Sequence, residues 1–109
     1  MKALARLLLA LLFVASTVRA GEIYGTIVDG NKPVAAGVKV DISVGGKVCS
    51  TETDKFGSYR TFVKEKGKGT LTVHVGEDPP SIGLVSFDKS TRYDWILETK
   101  DGKRTLRRK

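Results

Sequence analysis

The chain has 109 residues, 19 Lys and Arg against 12 Asp and Glu, a formal charge of +7, one Cys and one His. That length suits one small domain. The scarcity of Cys, His and clustered acids leaves little for a metal site, a thiol nucleophile or a Ser/His pair, so no cofactor, no metal and no enzymatic activity are expected.

The charge is unevenly spread. Residues 21–99 carry ten basic and eleven acidic side chains, whereas residues 100–109 carry six basic and one acidic. A neutral body therefore ends in a basic tail, and no nucleic-acid partner is expected from a charge so confined.

The first twenty residues read as an export signal. Lys2 and Arg6 form a positive start, Leu7 to Val14 an apolar run, and Val18-Arg19-Ala20 puts small residues where a signal peptidase reads. A transmembrane anchor is the competing reading, but only residues 7–18 lie between Arg6 and Arg19, against roughly 20 needed to cross a bilayer. Cleavage after Ala20 would leave a mature domain at 21–109, periplasmic or secreted, with no transmembrane anchor.

From Glu22 onward the pattern alternates with a period of two, so the chain is expected to be all-β. The first strand is read over Ile23 to Val28. It ends at Asp29-Gly30-Asn31-Lys32-Pro33, a stretch of turn-forming residues. Val38-Lys39-Val40-Asp41-Ile42-Ser43-Val44 interleaves β-branched and polar residues, which turns one face inward. Gly45-Gly46 then makes a two-residue hairpin loop, which sets Ile42 opposite Cys49, Val40 opposite Thr51 and Val38 opposite Thr53. Further strands are read at Val48 to Thr53, Ser58 to Val63, Thr70 to Val75, Leu84 to Phe87 and Arg92 to Glu98. Turns are expected at 54–57, 66–69 and 76–80. On the last of these strands Tyr93, Trp95 and Leu97 share a face, although Ile96 breaks the polar side. Asp101-Gly102 is a type I′ turn signal that sets Leu97 opposite Leu106, so the basic tail becomes a C-terminal edge strand.

Several pieces, in this order, form a recognisable constellation: Gly25-Thr26-Ile27-Val28-Asp29-Gly30, Lys32-Pro33-Val34, Gly37-Val38-Lys39-Val40, Thr53-Asp54-Lys55-Phe56-Gly57-Ser58-Tyr59 and Thr70-Leu71-Thr72-Val73. Over residues 21–76 the chain resembles the carboxypeptidase regulatory-like domain. The resemblance implies a transthyretin-like (prealbumin-like), seven-stranded Greek-key β-sandwich, to which the tail would add an edge strand. It also implies a freestanding interaction or structural module without catalytic residues.

Candidate site residues are few. Lys100, Lys103, Arg104, Arg107, Arg108 and Lys109 could contact an anionic surface, or could guard an edge strand against sheet-to-sheet association. Phe62 alternates out of phase with Tyr59 and Val63, which puts it on the outer face as a ligand-facing aromatic. Tyr24, Phe87, Tyr93 and Trp95 are assigned mostly to the core, because a small domain needs its aromatics there. Asp54 reads as a turn-stabilising residue rather than part of a calcium site with Glu52, since calcium takes more clustered oxygens. His74 falls on the polar face of its strand beside Thr72, and a single His without a Cys or carboxylate neighbour at ligand spacing is a poor metal candidate. Cys49 is read as a buried small hydrophobe, with an exposed thiol capable of an intermolecular disulfide as the alternative.

The leading expectation is a non-enzymatic exported module with a structural or protein-interaction role at the cell envelope. The alternative is a carbohydrate or peptidoglycan binder using outer-face aromatics and the basic end.

Overall fold

The computed structural model describes residues 21–109, and the export signal read at 1–20 lies outside the described residues. Ten strands follow one another: β1 Glu22–Asp29, β2 Lys32–Pro33, β3 Lys39–Val44, β4 Lys47–Glu52, β5 Ser58–Phe62, β6 Gly67–Val73, β7 Ser81–Ser86, β8 Thr91–Arg92, β9 Trp95–Lys100 and β10 Lys103–Arg108. Two of these are two-residue bridges, and the remaining eight are the seven expected strands plus the C-terminal edge strand.

The strands form two facing sheets. In one, β1 is central, with β5 and β2 antiparallel on one flank, β8 and β9 parallel on the other, and β10 outside β9. The other runs β4-β3-β6-β7, antiparallel throughout. Alternation does the rest of the work. Ile23, Ile27, Tyr59, Val63, Tyr93, Trp95 and Leu97 point from the first sheet into a core closed by Val40, Ile42, Val44, Leu71, Val73 and Leu84 of the second. Burying this apolar area is the main term holding the layers together, at roughly 25 cal/mol per Å².

Both hairpin registers read from the sequence are present. Ile42 faces Cys49 and Val40 faces Thr51 across Gly45-Gly46, and Leu97 faces Leu106 across Asp101-Gly102. Asp101 (φ 53°) and Gly102 (φ 78°) both take the left-handed conformation that a type I′ turn demands. Asp54 also acts as read: its Oδ1 accepts the amides of Phe56 and Ser58, closing the turn into β5. Thr53, 4% exposed, stitches the crossing between sheets by donating to the Ala35 carbonyl (2.7 Å) and accepting from the Val38 amide (3.1 Å).

Three strand assignments need correcting. Gly67-Lys68-Gly69 is the start of β6, not a turn; at Gly69 a Cβ would stand 2.4 Å from the Ser43 carbonyl oxygen, so glycine lets β6 approach β3. β7 begins at Ser81, three residues early, and Phe87 lies beyond its end, 44% exposed rather than in the core. The last long strand is divided at Tyr93-Asp94. There the Asp94 carboxylate, instead of a backbone carbonyl, takes the Thr26 amide (2.9 Å). Gly25 makes room for this, because a Cβ on it would lie 1.9 Å from the Tyr93 carbonyl oxygen.

Candidate functional site

The outer face of the first sheet carries a patterned set of polar side chains. Register places Arg92 of β8, Tyr24 of β1 and Arg60 of β5 in one row across three adjacent strands. In the next row stand Thr26 and Ser58, with the Asp94 carboxylate accepting from the Thr26 hydroxyl (3.0 Å) as well as from its amide. Past Ser58 the Asp54 turn and the end of β4, Thr51 and Glu52, rise over the sheet. Together these residues, with Asp94 behind them, enclose an open cleft of about 540 Å³ that Gly25 and Tyr59 also line.

Both arginines of the cleft have partners on the same face. Arg92 Nε donates to both oxygens of Asp94 (3.2 and 3.0 Å). Arg60 Nε stands 3.6 Å from a Glu22 oxygen, and its guanidinium carbon lies 5.3 Å from the centre of the Tyr24 ring. Burial tends to raise the Asp94 carboxyl, but the Thr26 amide and hydroxyl and the Arg92 guanidinium outweigh it and hold the group below the usual carboxylate range. The cleft thus offers guanidinium donors at one end, hydroxyls in the middle and the Asp54 and Glu52 carboxylates at the other, all on paired strands or a bonded turn.

Beneath it, the buried ring cluster fixes the floor. Trp95 Nε1 donates to the Tyr59 hydroxyl (2.9 Å), which donates to the Tyr93 carbonyl (2.7 Å). Tyr93 stacks on Trp95 with centroids 5.3 Å apart. Burial pushes the Tyr59 phenol well above its ordinary value, so it is a neutral donor at every physiological pH.

The residues singled out from the sequence are elsewhere. Phe62 is 37% exposed and sits one row beyond Arg60 on the same outer face, opposite Glu22. The basic end is not a loose arm. Arg104 pairs with Asp29 (2.7 Å), Arg107 with Glu98 (2.8 Å), and Arg108 lies over the Tyr93 ring (4.8 Å). The Lys109 amide continues the ladder to the Asp94 carbonyl, while Lys100 and Lys103 flank the turn, exposed. Tyr24, expected in the core with most of the aromatics, is instead half-buried on the outer face, and Arg60 and Arg92 carry no sequence signal beyond outward parity on their strands.

Two further expectations change. Cys49 faces inward as read but is only half-buried, with its Sγ 3.6 Å from the Phe62 carbonyl at the seam between β4 and β5. His74 does have a carboxylate neighbour: its Nε2 lies 2.7 Å from Asp41 of the adjacent strand. Asp41 also accepts from the Ser50 hydroxyl (2.5 Å). The Ser50 bond first, and then His74, hold the Asp41 carboxyl below its usual range. A pair of titratable groups in hydrogen-bond contact therefore exists, on the outer face of the second sheet, where sequence spacing hid it. Among the described residues no group of three or more His, Cys, Asp and Glu side chains is placed to hold a metal ion, and no helix is long and apolar enough to cross a membrane.

No family model matches the chain, and no curated protein does. Solved structures are similar in fold. The 5-hydroxyisourate hydrolase of Klebsiella pneumoniae superposes with a TM-score of 0.61 at 20% identity, covering 82% of this chain and 98% of that one. The TIE protein of Bacillus anthracis gives 0.60 at 12% identity over 73% of this chain, which spans only 16% of that much longer protein. A candidate carbohydrate-binding protein from Bacteroides uniformis gives 0.54 at 17% identity, over 80% of this chain and 52% of that one. The fold is a transthyretin-like β-sandwich.

The hydrolase also corrects the expectation that the chain is not an enzyme. A sandwich of nearly the same extent is the whole of that enzyme, so size and fold do not exclude catalysis. The compositional argument against an acid–base pair fails as well, at Asp41 and His74.

Proposed function

We propose that the protein is an exported transthyretin-like sandwich, akin to the carboxypeptidase regulatory-like domains, that works at the cell envelope as a carbohydrate-binding module. The cleft over β1, β5 and β8 supports this reading. Sugars are recognised by donors and acceptors held at fixed spacing with an aromatic face nearby, and the cleft sets Arg60, Arg92, Ser58, Thr51, Glu52 and Asp54 around Tyr24 on paired strands. The Bacteroides uniformis protein of the same fold lends support by its described role. Export rests on the sequence of residues 1–20.

A structural or protein-contact role is the second reading, favoured by Val48, which is 62% exposed on the outermost strand β4. A glycan array together with a pull-down on purified cell-wall polysaccharide separates the two. The carbohydrate reading requires glycan binding by residues 21–109 that weakens in Glu52→Gln and in Ser58→Ala. Absence of binding across the array defeats it.

A further inference from the structure

Resting on the carbohydrate reading, we infer that the cleft selects an acidic sugar, a uronate whose carboxylate docks on Arg60 and Arg92 while its ring hydroxyls reach Ser58, Thr51, Glu52 and Asp54. The row geometry carries this. Arg92, Tyr24 and Arg60 occupy neighbouring positions on three adjacent strands, so the two arginines straddle the tyrosine with Cα atoms about 10 Å apart. Each has a carboxylate partner on its own sheet, at 3.0 Å for Arg92 and 3.6 Å for Arg60. Arg92 is fixed through Nε on Asp94, and Arg60 meets Glu22 through Nε while its guanidinium rests over the Tyr24 ring. A guanidinium held at Nε keeps its paired Nη hydrogens for another partner, and a carboxylate is the group whose two oxygens match that fork.

The far end of the cleft carries carboxylates in place of guanidinium groups. Asp54 is tied by its own turn amides, and Glu52 stands on β4 beside it. Two carboxylates there repel a second negative group but accept sugar hydroxyls. The site is therefore polarised along one direction, acid-reading at the Tyr24 row and hydroxyl-reading at the Asp54 turn. A polyanion charged along its whole length fits this less well than a ligand with one carboxylate per ring.

The test is calorimetric titration of residues 21–109 with uronate disaccharides (galacturonate, glucuronate and mannuronate), the matching neutral disaccharides, and acetate as a bare carboxylate. One uronate should bind at least about tenfold more tightly than its neutral counterpart, with the preference shrinking as salt is raised. Arg60→Gln should bring the uronate down to the neutral sugar's affinity, and Arg60→Lys should retain part of the preference. Unchanged thermal midpoints in both variants show that the loss is local. Equal affinity for uronates and neutral sugars overturns the inference and leaves the carbohydrate reading standing. Binding of acetate as tight as that of the uronate also overturns it, by showing an anion contact alone. Failure of every sugar removes both.

Discussion

Trp95 and Tyr59 share one buried hydrogen bond, indole Nε1 to phenol oxygen at 2.9 Å, and through it β9 and β5, on opposite flanks of β1, are tied together beneath the cleft. The phenol in turn donates a hydrogen bond to the Tyr93 carbonyl (2.7 Å), so one hydroxyl satisfies a buried donor and a buried acceptor.

Tyr59→Phe keeps the ring and deletes only that hydroxyl. It leaves the Trp95 N–H and the Tyr93 carbonyl unpartnered by it, at a cost of about 1–3 kcal/mol. For a domain of this size that lowers the thermal midpoint by about 5–15 °C. A midpoint within 2 °C of the wild type would show that the bond contributes little.

Two glycines should respond oppositely to alanine. Gly25→Ala drives a methyl to 1.9 Å from the Tyr93 carbonyl oxygen, which forces β1 from β8 and β9 and costs at least about 3 kcal/mol. Gly83 sits in β7 with its nearest neighbour 3.8 Å from the added carbon and no positive φ. Gly83→Ala is therefore neutral, or stabilising by up to about 1 kcal/mol through a stiffer unfolded chain. Denaturant midpoints of the pair check both, and equal losses would contradict the close approach at Gly25.

Asp94 and Asp41 both titrate below their ordinary range in the folded protein. A depressed carboxylate stabilises the fold above its unfolded value of about 3.9 and loses that contribution as pH falls through its lower folded value. Stability should therefore drop on acidification below about pH 4. Asp94→Asn and Asp41→Asn should be less stable than the wild type at pH 7, and the gap should narrow towards pH 2. A gap that persists unchanged into acid would mean that the charges are not responsible.

Deleting residues 101–109 removes Leu106 from Leu97, Arg108 from the Tyr93 ring, and the Arg104–Asp29 and Arg107–Glu98 pairs. The apolar loss alone is about 2 kcal/mol, and β9 becomes a bare edge open to other chains. The truncated protein should melt earlier and associate, as read by calorimetry and light scattering. Unchanged stability and a monomeric state would show that β10 does not seal the sheet.

Local geometry follows from the order of the residues alone. Period-two alternation chose strands and set which face of each is buried, and Gly45-Gly46 and Asp101-Gly102 fixed two registers, because a two-residue loop with left-handed backbone leaves a hairpin one pairing. What lies beside what over long separations is set by the closed fold. Asp41 and His74 are 33 positions apart, and Thr26 and Asp94 are 68 apart. Their meeting depends on β3 pairing with β6 and on β1 pairing in parallel with β8 and β9, partnerships that no turn dictates. The Arg92–Tyr24–Arg60 row is hidden for the same reason, since each arginine reads on its own strand as an ordinary outward side chain and Tyr24 as one more aromatic for the core. Which outward side chains become neighbours is settled by how the two layers close over a shared core, a global minimum of exposed apolar area that local patterning constrains without choosing.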